Sequence, residues 1–386
     1  MSGSDSMISA DSPRPFLQSF RILMGDFFGA FADSAILLPL LMLLGRIPGF
    51  SLPVLIGTAG VTYVLAGRFF RVPMPVQPLK AVAIASVSVG AGAYEIRVAS
   101  FFLGAFFLGL FLLRKKNLPI PEPVVRAVQT GLGVLLLLQA KKVLPVDPSL
   151  ALPSYLLFGI ILLLQYSFQV SSLGFFALLL FVGSLTKEHL PPGSLVTDFA
   201  PHFSGDWHLS LSMVASLLLP QLALTSANSI TGARIAIAHY FNPKSDRVTI
   251  PRLMFFVGLG NMIAALIPGL PFCHGAGGVT AHAKGGASTE RMNWIIGGAL
   301  LLVSILIYFY DLTVRVDSFA LSAILACVGV FHLELARPLL KDPLGRVLLV
   351  LSVLITLIRS DLLLVLIAAF LVHALGNKFW KRVPRG

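Results

Sequence analysis

The chain has 386 residues, of which 56% are hydrophobic in type and 12% charged, with a mean hydropathy of +0.88. Soluble domains carry about 25% charged residues, so this composition excludes a water-soluble globular protein. Lys and Arg number 29 against 17 Asp and Glu, a formal net charge of +12, and two cysteines, Cys273 and Cys327, leave no disulfide framework or cysteine-rich metal site.

In chain order, residues 1–19 are polar, carry Pro13, Arg14 and Pro15, and lack the apolar core and cleavage site of a signal peptide. They are expected to form a disordered cytosolic tail. Apolar stretches near 20–44, 52–67, 73–93, 97–113 and 123–144 predict the first five spans. The charge-free run 148–186 is too long for one crossing and divides at its polar stretch 165–172 into two more. A connecting loop on the extracytosolic side is expected over 191–208, followed by a span over 209–233. The run 253–283, interrupted by Pro268 and Pro271, gives two spans, and 292–310, 318–335, 344–358 and 361–376 complete the set before a basic cytosolic tail over 377–386. The expected architecture is therefore an all-α polytopic membrane protein of about fourteen transmembrane segments.

Charge placement tests that topology. The N-terminus, the even-numbered loops and the C-terminal tail hold twenty Lys and Arg, against seven in the odd-numbered loops, while Lys80 and Arg126 fall inside spans. Both termini should be cytosolic. The basic excess then faces anionic lipid headgroups, and nucleic acid is not needed to explain it.

Seven spans per half is an odd number, so halves that are repeats must be inverted, 20–190 against 209–376. The first and eighth spans begin 189 residues apart, and Gln77 and Cys273, in the proline-interrupted third and tenth spans, lie 196 apart. The segment from Val72 to Lys80 holds Pro73, Pro75 and Pro78, which remove backbone donors and enforce extended geometry; Pro78 suits a first helical turn. The segment from Pro268 to Gly278 does the same from the other side, with Gly275, Gly277 and Gly278 permitting close backbone approach. Two short half-helices starting near the bilayer midplane would point unpaired N–H groups and positive dipole ends at one another, the ingredients of an anion site.

Pro-Val-Gln-Pro-Leu-Lys at 75–80 with the following Ala-Val-Ala, and Pro-Phe-Cys-His-Gly-Ala-Gly-Gly at 271–278, resemble the paired signature motifs of the molybdate transporter family, relatives of the sulfate permeases. The resemblance extends to Gly25-Asp26 and to the stretch from Gln221 to Asn228. It implies a core and a gate domain built from seven-plus-seven inverted repeats, moving a tetrahedral oxyanion by alternating access. Ala223 stands where that pattern has proline and Leu79 where methionine is commoner, so sulfate remains an alternative substrate. Ten residues follow Gly376, too few for the regulatory domain typical of sulfate permeases, which favours molybdate, with tungstate a close analogue.

The expected substrate-binding set takes Gln77, Pro78 and Lys80 from the first motif and Cys273, His274, Gly275, Gly277 and Gly278 from the second. Gln221 and Asn228 join it from the eighth span, where with Thr225 they form a polar stripe at spacings of four and three that serves equally as interhelical glue. Lys80 inside the membrane needs a partner, either the anion or a structural pair with Asp26 or Asp33. Asp26 and Asp33 are seven apart and predicted to share a helix face, as coupling or structural acids. His274 would either take up a coupling proton beside the anion or cap backbone groups in its neutral form. His189, His202 and His208 with Asp198 and Asp206 match no metal-ligand spacing, and no metal or cofactor is expected. No Ser/His/Asp, HExxH or phosphate-loop pattern appears, so an enzyme is not expected. A nucleobase permease, with an acid expected where Gln221 stands, or an anion channel are the remaining readings. The expected partners are the oxyanion, membrane lipids, protons and a second copy of the chain, in a cell boundary or inner membrane.

Overall fold

A membrane-spanning backbone must satisfy its polar groups internally, which leaves helices as the economical element. The computed structural model describes residues 15–114, 120–144, 148–167, 185–186, 210–310, 313–314 and 318–380. In the first half these are α1 (Pro15–Ala30), α2 (Ser34–Gly45), α3 (Leu52–Phe70), β1 (Gln77–Pro78), α4 (Lys80–Val89), α5 (Ala93–Leu112), α6 (Glu122–Val143), α7 (Pro148–Ser167) and β2 (Leu185–Thr186). The second half holds α8 (Leu211–Leu224), a π-helix (Thr225–Gly232), α9 (Ala233–Tyr240), α10 (Ile250–Leu266), β3 (Phe272–Cys273), α11 (Ala276–Lys284), α12 (Arg291–Phe309), β4 (Thr313–Val314), α13 (Ser318–Leu335), α14 (Pro343–Arg359) and α15 (Leu362–Trp380). Among the described residues, six helical stretches are long and apolar enough to cross a membrane. The expected seventh span and the 191–208 loop lie outside the described residues.

In the third span the chain is extended up to Leu79, and α4 has 10 residues, about 15 Å, too short to cross a 30 Å core. The eighth span, expected over 209–233, runs further: eight residues of π-helix follow Leu224, and the helical path continues to Tyr240. α1 and α2 are separated by a tight turn with three-residue hydrogen bonds from Ala32 to Gly29 and from Ser34 to Phe31. The two acids on either side of that turn serve different neighbours, Asp26 the backbone at 288–289 and Asp33 the Gln77 amide.

Packing pairs the halves. α3 runs along α12, α5 along α10 and α6 along α13. Each pair closes on facing glycines. A Cβ on Gly60 would lie 2.8 Å from the Gly297 carbonyl, one on Gly104 2.6 Å from that of Gly258, and one on Gly133 2.9 Å from that of Gly329. Small residues let helix backbones approach where lipid supplies no hydrophobic drive between them. The offsets from Gly60 to Gly258, Gly104 to Gly297 and Gly133 to Gly329 are 198, 193 and 196 residues, so exchanging the halves maps this packing onto itself.

β1 and β3 lie antiparallel, Gln77 opposite Cys273 and Pro78 opposite Phe272, with the Leu79 N–H donating to the Pro271 carbonyl at 2.9 Å. Two buried asparagines hold these non-helical segments. The Met74 N–H donates to Asn293 Oδ1 at 2.9 Å and Asn293 Nδ2 to the Met74 carbonyl at 2.6 Å; Asn261 makes the same pair with Phe272 at 2.9 and 2.7 Å. Extended backbone inside the bundle is thereby satisfied beyond the two-residue pairing of β1 and β3.

Candidate functional site

α4 and α11 both start within three residues of the β1–β3 crossing, so their N-termini flank the same point. A cavity of ≈ 670 Å³ reaches that point. Asp33, Lys80, Gln129, Asn228 and Gly277 line it, and Glu122, Arg126 and Lys284 stand at its charged end. A recess of ≈ 10 Å³, room for about one water, continues past Lys80 and Asn228 to Gln221, Ser229, Cys273 and His332.

Lys80 is the first residue of α4, 5% exposed, and has no carboxylate within 4 Å among the described residues. Asp33 is equally buried, but its carboxylate accepts from Gln77 Nε2 at 2.7 Å. Gln77 Oε1 has no partner among the described residues. The amide is wedged by glycines: a Cβ on Gly275 would lie 2.3 Å from Gln77 Oε1, and one on Gly278 would meet Pro75 Cβ at 2.6 Å and Gln77 Nε2 at 2.7 Å. Gly277 is different, with Phe331 the nearest group at 3.5 Å, so it is open to the cavity and not required by contact. Pro78 is buried at the crossing itself.

Gln221 has both polar atoms engaged: Oε1 accepts from the Ala81 N–H at 2.9 Å, capping the first turn of α4, and Nε2 donates to Thr225 Oγ1 at 2.9 Å. The π-helix advances the register, so Asn228 faces the cavity while Thr225 is fully buried. His274 is brought near the crossing but not to the cavity. Its Nδ1 pairs with the Pro75 carbonyl at 2.7 Å, and its ring sits among Phe70, Phe256 and Phe272 with centroids 5.4, 5.3 and 5.8 Å away. Asp26 accepts from the N–H groups of Ser288 at 2.7 Å and Thr289 at 2.9 Å and from the Thr289 hydroxyl, tying α1 to the turn that opens α12.

Several polar residues here were not singled out from sequence: Gln129, Ser229 and His332 at the cavity, Asn261 and Asn293 as clamps, and His282, whose Nδ1 pairs with the Gly29 carbonyl at 2.7 Å. The available signal was simply a polar residue inside an apolar span, which must find a partner. No group of three or more metal-ligating side chains occurs among the described residues.

The fold is that of membrane anion transporters of known structure. The chain is similar to the transmembrane domain of a cyanobacterium bicarbonate transporter, BicA, with a TM-score of 0.61 and 18% identity over 91% of this chain and 98% of that one. It is also similar to the murine Slc26a9 anion transporter in the inward-facing state, with a TM-score of 0.67 and 12% identity over 98% of this chain and 74% of that one. A family model described as "Molybdate transporter of MFS superfamily" matches residues 213–331. Molybdate transporter 1 of Arabidopsis thaliana is 24% identical, covering 75% of this chain and 74% of its own, and Molybdate transporter 2 is 26% identical, covering 73% and 72%. Over these stretches the chain is similar to molybdate transporters.

Proposed function

We propose that the protein is a secondary transporter of molybdate, working by alternating access between a core and a gate domain made of two inverted seven-span repeats. The observation that carries this reading is Lys80: a buried ammonium on the first turn of a short helix, facing a cavity, with no carboxylate within ion-pair distance among the described residues. An intramembrane lysine costs about 2.5–3.5 kcal/mol on insertion scales, so it is retained where an anion can meet it. The two helix N-termini add roughly half a positive charge each, and Ala276 to Gly278 offer N–H groups that the first turn of α11 cannot pair internally. Together with Lys80 they offset about two negative charges, the charge of a tetrahedral dianion.

Asp33 in the same cavity subtracts one charge, and protonating it would restore the match. We therefore assign proton coupling to Asp33, while Asp26 is engaged with backbone N–H groups of the 288–289 turn. The glycine pairs that exchange between halves support the inverted repeat, and the names of the Arabidopsis relatives support molybdate over sulfate. The cavity opens beside Glu122, Arg126 and Lys284, toward the loops in which Lys and Arg concentrate, which supports an inward-open state.

Calorimetric titration of the purified protein with molybdate, tungstate, sulfate and xanthine tests the reading. Molybdate and tungstate should bind with sulfate weaker, and Lys80→Ala should weaken molybdate by at least about tenfold, since a charge-assisted contact contributes ~1.5–3 kcal/mol. Unchanged affinity in Lys80→Ala would remove the lysine from the site, and a xanthine signal without oxyanion binding would replace the substrate class.

A further inference from the structure

A second cavity of ≈ 800 Å³ lies away from Lys80, in a groove between α3 and α10. Its long wall is apolar and open: Leu65 is 53% exposed and Ile263 47%. Its other end is different in kind. Arg68 and Arg71 from the C-terminus of α3, Arg247 from the short turn before α10 and Arg252 from the first turn of α10 converge there, and among the described residues no acidic side chain lines the groove. Arg252 is already oriented, its guanidinium 4.5 Å from the Phe69 ring centroid and donating to the Phe69 carbonyl. Arg68, Arg71 and Arg247 are exposed, with no carboxylate within 4 Å among the described residues.

We propose that this groove is a binding site for an anionic phospholipid, its acyl chain along Leu65 and Ile263 and its phosphate held by the arginine cluster. The chemistry of the two ends selects this occupant. An apolar channel alone would accept any lipid tail, but four guanidinium groups at one end require a phosphate, which guanidinium forks bind in bidentate fashion. These arginines stand at helix ends on the side where Lys and Arg concentrate, the expected cytosolic side, where the leaflet is rich in anionic lipid. A second copy docking through the same groove would bring two arginine clusters together, which like-charge repulsion disfavours. The back of the groove is formed by Phe256 and Phe272, two of the rings that enclose His274, so an occupied groove supports the wall on which β3 rests.

The test is native mass spectrometry of the detergent-solubilised protein titrated with phosphatidylglycerol, phosphatidylcholine or glycerol 3-phosphate. Phosphatidylglycerol should be retained at least about tenfold better than phosphatidylcholine, given ~1 kcal/mol per arginine near the headgroup. Glycerol 3-phosphate should not be retained, which separates a lipid from a free phosphate. The Arg68→Gln, Arg71→Gln, Arg247→Gln triple variant should lose the preference, and Leu65→Trp with Ile263→Trp, filling the channel, should reduce retention of both lipids. All substituted side chains are exposed, and a monodisperse elution profile checks each variant's fold. Equal retention of the two lipids, a triple variant that keeps the preference, or a wild-type dimer abolished by the tryptophans without any lipid adduct would each overturn the proposal.

Discussion

Asp33 holds Gln77 of the first motif and His274 stands in the second, yet their surroundings give them opposite prospects. Asp33 lines the cavity and holds Gln77, so its protonation state alters both the charge seen by an anion and the orientation of an amide at the crossing. His274 is enclosed by three phenylalanine rings, and its one hydrogen bond joins the two non-helical segments, since Pro75 belongs to the first and His274 to the second. Charging an imidazole in such a cage is costly. If protons drive uptake, Asp33→Asn should flatten the dependence of molybdate uptake on external pH while Asp26→Asn preserves it. His274→Ala should lower thermal stability by about 3 kcal/mol or less, as expected for losing a buried ring and its hydrogen bond, with the pH profile kept. Uptake assays in proteoliposomes across pH 5–8 decide this, and a flat profile in His274→Ala with an unaltered one in Asp33→Asn would reverse the assignment. The motifs were legible as sequence; which of their titratable groups meets the cavity was not, because the Pro75 contact spans 199 residues.

At the scale of elements, the glycine contacts decide how closely helices pair. Gly104 and Gly109 lie on the same helix, α5, but only Gly104 meets a partner backbone: a Cβ there would sit 2.6 Å from the Gly258 carbonyl, while nothing lies within 4 Å of one on Gly109. Gly104→Val should therefore destabilise the protein by at least about 1–3 kcal/mol, the cost of overpacking, and Gly109→Val should be near neutral. Thermal melts of the two purified variants measure this, and equal melting temperatures would mean the α5–α10 contact is not close in the membrane. The helix propensity of either glycine is the same, so sequence alone cannot rank them. The π-helix was hidden in a similar way. The polar run from Thr225 to Gly232 suggests a site, but only the packed structure, in which it lies against α10 and α11, shows that Asn228 faces the cavity.

For the whole molecule, the cavity that reaches Lys80 is also lined by the charged residues Glu122, Arg126 and Lys284, of which Glu122 and Lys284 are exposed. Alternating access requires that this cavity be reachable from one side of the membrane at a time. Thr231 lines the same cavity, and Cys327, the other thiol at its wall, can be replaced by Ala. In that background, Thr231→Cys should react with a membrane-impermeant maleimide from the cytosolic face of inside-out vesicles, and saturating molybdate should slow the reaction. Labelling that is equally fast from both faces would point to a channel.

Hydropathy by itself determined that the chain is a polytopic membrane protein, because the length of an apolar run is a local property that the bilayer thickness converts into a span. Proline and glycine spacing likewise located the two helix interruptions and the start of α4, since missing donors and fixed φ angles act within a few residues. The tertiary structure alone decided what surrounds them. Gln221 caps α4 across 140 residues, Asn293 clamps Met74 across 219, and Asp26 holds a turn 262 residues away. Such partners are chosen by three-dimensional proximity, and a buried polar group accepts whichever donor or acceptor the packed helices bring within hydrogen-bond reach.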